Sequence, residues 1–229
     1  NVQGFGNQKE APWRAGANEN TVIELSHEAK VAGQPVPAGR YGLFFVINKD
    51  DSGEVILSKD SRSWGSFFYE PDRVQVRSKI QLRTIPMTEL LTYDFDNLTK
   101  NSAELVLNWE KKQFPVPIEF AVDAIVLANA EEELKGPVGF TWQGYASAAN
   151  YAMLNKVELE KGLKWAEKAV TMNKNFNTLM AKAGLLKQLG KTEEAEKTKT
   201  AALALGSEAE LNQYGYQLAN QGLHDDAIH

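Results

Sequence analysis

The sequence predicts an α+β chain in two domains: an antiparallel β-sandwich over residues 1–122 and tetratricopeptide-like helical repeats over residues 123–229. Composition is the first reason. Residues 1–122 hold seven of the eight prolines and all six arginines, whereas residues 123–229 hold one proline, no arginine and 18 alanines against 8. Proline breaks helix interiors and alanine favours them, so the architecture changes near residue 122. Periodicity is the second reason: apolar residues recur at every second position in the first part and at helical spacing in the second. An internal repeat in the second part is the third.

The strands follow from alternation. Thr21–Leu25 is read as a strand. Tyr41–Asn48 is continuously apolar, as a strand covered on both faces must be, and the turn Lys49-Asp50-Asp51-Ser52-Gly53 leads to a partner over Glu54–Ser58. The aromatic run Trp64–Tyr69 is read as a further strand. Val74, Val76, Ile80 and Leu82 share one face of the next, and Leu91, Tyr93 and Phe95 one face of another. Leu105, Leu107 and Trp109 run into the polar Glu110-Lys111-Lys112-Gln113, and Phe114, Val116, Ile118 and Phe120 follow, which reads as a hairpin. Pro115 and Pro117 cannot donate ladder hydrogen bonds, so its second arm is expected at a sheet edge. About eight strands result, a number suited to a sandwich or barrel.

In the second part, Ser207 and Glu210 form a capping box ahead of Leu211, Tyr214 and Leu218, and Thr192 opens a helix with Glu193 and Glu194 in its first turn. The segment Leu179–Lys191 aligns with Leu211–Leu223 at an offset of 32 residues, placing Gly190 on Gly222. A weaker copy over Ala149–Ala169 lies about 33 residues upstream. Helical pairs at this period are similar to tetratricopeptide repeats; a plain helical bundle is the competing reading.

Chemistry is sparse. The formal net charge is −5 and there is no basic cluster, so binding to nucleic acid phosphates is not expected. No apolar run reaches the roughly 20 residues of a membrane-spanning helix. Cysteine is absent, which removes disulfides, thiolate nucleophiles and cysteine-bound metals. The histidines, His27, His224 and His229, lack metal-ligand spacing. Trp64-Gly65-Ser66-Phe67-Phe68 lacks the second glycine of a nucleophile elbow. The sequence therefore predicts no cofactor, no metal and no catalytic residue.

Two sets of residues are candidates for binding. Trp13-Arg14-Ala15-Gly16-Ala17-Asn18-Glu19 precedes the first strand. Either it is a ligand site, with Trp13 as a stacking face and Arg14, Asn18 and Glu19 as polar contacts, or Trp13 is buried and an Arg14–Glu19 pair holds the loop. Trp64, Phe67, Phe68 and Tyr69 form an aromatic cluster whose side chains point to both faces of the expected strand; it reads first as sandwich core, and in the alternative at least one ring is exposed, with Trp64 and Tyr69 as candidate ligand contacts. In the helical part, Tyr145, Tyr151, Tyr214 and Tyr216 are candidate contacts to a protein or peptide partner, of the kind helical repeats hold on concave surfaces.

Three motifs in order, Trp13–Glu19, Pro37-Ala38-Gly39-Arg40-Tyr41-Gly42-Leu43 and Trp64–Tyr69, followed by Leu107-Asn108-Trp109-Glu110 and Val116-Pro117-Ile118, resemble the domain-of-unknown-function family 2911. Longer members are similar to this chain also at Gly139-Phe140-Thr141-Trp142-Gln143 and Ala148-Ala149-Asn150-Tyr151. The resemblance implies an exported protein of Bacteroidota, periplasmic or attached to the outer membrane, whose signal peptide has been removed before Asn1. Members carry further strand-forming sequence ahead of the tryptophan–arginine motif, so the first strands of the sandwich are expected to be missing here. The family brings no activity with it. The expectation is a non-enzymatic binding or interaction protein of the cell envelope. The alternative is an envelope enzyme or carbohydrate-binding protein that uses the loop of Trp13, Arg14 and Glu19.

Overall fold

The computed structural model describes residues 12–48 and 50–220. The chain divides into two compact units, residues 1–122 and 123–229.

The first unit contains two four-stranded antiparallel sheets. One has the order β1-β4-β5-β6, with β1 at Val22–Leu25, β4 at Gly39–Ile47, β5 at Ser52–Ser58 and β6 at Val74–Gln81. The other has the order β3-β2-β8-β7, with β2 at Ala29–Val31, β3 at Gln34–Val36, β7 at Arg83–Asp96 and β8 at Ser102–Phe120. Both contribute to a single apolar cluster: Leu43, Phe45, Val55, Leu57 and Val76 from the first sheet, and Val31, Leu105, Leu107, Phe114 and Val116 from the second. The other face of β4 and β5 is apolar too, because Tyr69 and Val74 pack onto Phe44, Val46 and Ile56 there. Burial on both faces explains the unbroken apolar run of β4.

The structure corrects the strand reading in three places. Trp64–Tyr69 is not a strand: Gly65–Phe68 forms a short 3₁₀ turn, entered through Gly65 at φ +63°. The segment from Leu105 to Phe120 is not a hairpin but part of the single 19-residue strand β8. Glu110, at φ +51°, bends it where β7 bulges on the partner side, so the polar quartet sits within the strand instead of reversing it. Nor is β8 at an edge. Its pairing with β7 stops at Gln113 and its pairing with β2 starts at Ile118, so Pro115 and Pro117 fall where the ladder changes partners. A proline there leaves no bond unmade, and the Pro117 carbonyl still accepts from the Ala32 amide at 2.8 Å. The β2–β3 hairpin, unmarked in the sequence reading, turns on Ala32 and Gly33, both at positive φ, the backbone of a two-residue hairpin turn.

The second unit is helical. The helix α1 spans Val122–Glu133, and after a 3₁₀ turn at Pro137–Phe140 come α2 (Trp142–Asn155), α3 (Leu159–Met172), α4 (Phe176–Gln188), α5 (Thr192–Leu203) and α6 (Glu208–Asn220). From α2 to α5 each helix packs on the next, and α2 also packs on α4. The α2–α3 approach depends on Gly162, where a Cβ would lie 2.7 Å from that of Ala152. Asn175 and Thr178 form a reciprocal capping box on α4. Ser207 and Glu210 do the same for α6, as its sequence predicts: the Ser207 amide donates to Glu210 Oε2 at 2.9 Å. Among the described residues no helix is long and apolar enough to cross a membrane.

Candidate binding surfaces

The segments around the first and the third sequence motifs of the sheet unit meet at one junction. Trp13 exchanges both backbone hydrogen bonds with Phe45, each at 2.8 Å, which anchors the loop to β4. Its indole is buried, stacked on Trp109 with centroids 5.4 Å apart and packed against Phe114 at 5.8 Å. The Ala15 carbonyl accepts from Tyr93 Oη at 2.8 Å and from Thr21 Oγ1 at 3.3 Å. Burial pushes the Tyr93 hydroxyl well above the ordinary tyrosine range, so it stays a neutral donor. From the other loop, Ser63 O accepts the Asn20 amide at 3.1 Å, Ser66 Oγ donates to Pro12 O, and Asn20 Nδ2 donates to Asp60 O at 3.0 Å. Asp60 in turn accepts from Ser63 Oγ, and that bond holds its carboxyl below the usual range. In the middle motif, Tyr41 Oη donates to Pro37 O at 2.9 Å and closes the corner that opens β4.

This arrangement sorts the candidate residues. Trp13 is a core residue and offers no open stacking face. Arg14 is half-buried; its Nε donates to Gly16 O at 3.2 Å, and its side chain lies against Gly65. Among the described residues it forms no ion pair with Glu19, so the expected Arg14–Glu19 clasp is absent and backbone hydrogen bonds hold the loop instead. Asn18 and Glu19 are exposed, Asn18 at φ +65°. Tyr69 is half-buried, edge-on to Phe44 at 5.5 Å, with its hydroxyl buried near the Arg77–Glu54 ion pair and without a partner at hydrogen-bond geometry. Burial raises its pKa. Trp64, by contrast, is 48% exposed, and Phe67 and Phe68 stand out at 83% and 62%.

The four candidate tyrosines of the helical unit are not on one surface. Tyr145 and Tyr151 pack against the α2–α3–α4 core. Tyr151 Oη donates to Asp123 Oδ1 at 2.8 Å, and the ring lines a hollow of about 670 Å³ with Val126, Leu127, Ala130 and Leu134 of the α1 segment. Tyr214 stands edge-on to Phe176 at 6.2 Å and lines a separate groove. Tyr216 is 71% exposed and lines neither.

That groove is a feature which sequence reasoning missed. It also encloses about 670 Å³, runs over α2, α4, α5 and α6, and mixes apolar groups (Met153, Leu154, Met180) with amides and with Lys187 and Lys199. Asn177 Nδ2 donates to Glu210 Oε1 at 3.0 Å and ties α4 to α6 at its wall. Its lining residues are scattered over four helices, so no local motif marks them. His27 is exposed, His224 and His229 lie outside the described residues, and among the described residues no three His, Asp or Glu side chains cluster as a metal site would require.

Residues 3–118 match the family model described as a protein of unknown function (DUF2911). The match spans half of the chain and covers the sheet unit, so the chain belongs to that family. No curated protein and no solved structure matches it.

Proposed function

We propose that this member of the DUF2911 family is a non-enzymatic binding protein of the bacterial cell envelope. Its helical unit takes a peptide or an extended segment of a partner protein in the groove over α2, α4, α5 and α6. That groove is the observation that carries the reading: it is open, long enough to cross several helices, and lined by flexible apolar side chains with amides between them. Methionines adapt to varied apolar side chains, and amides bond to an extended backbone whatever its sequence. The tetratricopeptide-like reading is supported by helix spacing, since α4 begins 34 residues after α2, α5 33 after α3 and α6 32 after α4. The shared cluster of the two sheets supports a β-sandwich for the first unit. Placement in the envelope of a Bacteroidota cell rests on the family resemblance.

The test is selection of random peptides displayed on phage against the intact chain, followed by affinity measurement on Leu154→Glu. Leu154 lines the groove but is 75% exposed, so a charge there alters the groove without touching a core. Selected peptides should lose at least tenfold in affinity. Peptides that bind the variant equally well, or a selection that enriches none, would refute the reading.

A further inference from the structure

The hollow lined by Tyr151 owes its shape to two contacts. At one end Tyr151 Oη, late in α2, donates at 2.8 Å to Asp123 Oδ1, at the start of α1. At the other, Leu134 and Val138, which follow α1, press on Gly144 near the start of α2; a Cβ at Gly144 would lie 3.3 Å from Leu134 Cδ2. The two helices are therefore antiparallel and pinned at both ends, with about 670 Å³ between the pins. That volume lies within the range of small-molecule sites, about 300–1,000 Å³. Val126, Ala130 and Leu134 line this slot from the α1 side; being four residues apart they form one stripe, about 12 Å long at 1.5 Å per residue. On the α2 side are Gly144, Ser147 and Ala148, whose side chains are too small to close the gap. The slot shares no lining residue with the peptide groove, so the inference stands apart from it.

Charge at the rim of the slot identifies its occupant. Glu131, Glu132 and Glu133 end α1 with no basic residue in its last turn, where the helix dipole is negative and a carboxylate is destabilising. Two of the three are compensated: Glu131 pairs with Lys161 and Glu132 with Lys135. Glu133 has no ion pair among the described residues, and it is the glutamate that lines the slot. Among the described residues no lysine or arginine lines it. An apolar slot with an uncompensated carboxylate and the negative end of a helix at its rim complements an apolar body that carries one positive charge. An anionic amphiphile would meet Glu133 like to like. A peptide would lay backbone N–H and C=O groups against carbon along most of the slot, and such groups are costly without partners. We infer that the slot between α1 and α2 binds a small amphiphilic amine, with its ammonium group at Glu133 and its apolar chain along Ala130 and Val126.

Isothermal titration of the intact chain at neutral pH with octylamine, octanol and octanoate tests it. Octylamine should saturate one site, with octanol at least threefold weaker and octanoate at least tenfold weaker. Glu133→Gln should abolish the preference for the amine over the alcohol and leave octanol binding unchanged. Glu133 is exposed and its charge opposes the helix dipole, so this variant should melt no lower than the parent. Ala130→Phe, which fills the slot, should weaken octylamine at least tenfold, whereas Leu154→Glu, in the separate groove, should leave it unchanged. Octylamine that fails to bind, octanol or octanoate that binds as tightly, or an amine preference that survives Glu133→Gln overturns the inference. So does octylamine binding that is indifferent to Ala130→Phe.

Discussion

Gly65 and Arg14, 51 positions apart in the chain, are in direct contact: a Cβ at Gly65 would lie 2.5 Å from both Cδ and Nη1 of the arginine. Glycine is required there twice over, because its φ of +63° also lies in the left-handed region. Gly65→Ala should therefore destabilise by about 2–4 kcal/mol, the sum of backbone strain and the displaced guanidinium. Calorimetry should show a fall of roughly 4–12 °C in the sheet-unit transition. Arg14→Ala alone should cost only about 1 kcal/mol for one lost hydrogen bond, and adding it to Gly65→Ala should recover part of the loss. Strictly additive costs would contradict the contact.

Trp13 is the residue on which the two readings of its loop diverge most sharply. With its indole buried on Trp109 and Phe114, Trp13→Ala should cost about 3–5 kcal/mol. Near-ultraviolet circular dichroism should lose the signal of the stacked indole pair. A folded variant of unchanged Tm would mean that the side chain is not in the core.

Two helical glycines should respond differently to the same substitution. Alanine gains about 1 kcal/mol in helix propensity over glycine. At Gly162 that gain is outweighed, because the new methyl would meet Ala152 Cβ at 2.7 Å on a neighbouring helix that cannot yield locally. Gly162→Ala should lower stability by about 1–2 kcal/mol. At Gly184 the obstruction is Met153 Sδ, near the end of a flexible chain, so Gly184→Ala should be within about 0.5 kcal/mol of neutral. Equal effects at both sites, read by chemical denaturation, would contradict the helix packing.

Acid should loosen the second sheet through Glu104. Its carboxylate receives Arg83 Nη1 and Nη2 at 2.8 and 2.9 Å and Asn97 Nδ2 at 2.7 Å. The arginine contact holds its pKa below the usual value of 4.5. A carboxyl with a lowered folded-state pKa contributes stability that is complete above the unfolded value and disappears as pH falls through the folded one. Thermal melts should therefore show part of the acid loss below about pH 4.5 that is missing in Glu104→Gln. Parallel pH profiles for the two proteins would rule this contribution out.

Much of this architecture is legible in the sequence because burial is periodic. The alternation of Val76, Ile80 and Leu82 and the unbroken apolar run of β4 are direct records of one covered face and of two, whereas Val74, past the irregularity opposite Leu57 and Ser58, packs on the other face. Reading failed where a residue's role depends on a distant partner. Trp64–Tyr69 has strand composition, yet the fit of Gly65 to Arg14 and the bonds to Pro12 and Asn20 make it a turn. The polar quartet after Trp109 imitates a hairpin loop; in the fold it is tied to neighbouring strands, with Lys112 Nζ 2.7 Å from Asp51. The candidate loop was found through its unusual residues, but burial divides it into a core anchor, Trp13, and an exposed rim, Asn18 and Glu19. The groove was not found, since residues from four helices become neighbours only on folding.

Hydrogen exchange on the intact chain, with and without a peptide selected against it, tests the groove most directly. Slowed exchange on segments 150–154, 176–188 and 208–218, with the sheet unit unchanged, is the predicted result. Protection confined to the sheet unit, or none at all at saturating peptide, would contradict the proposed function.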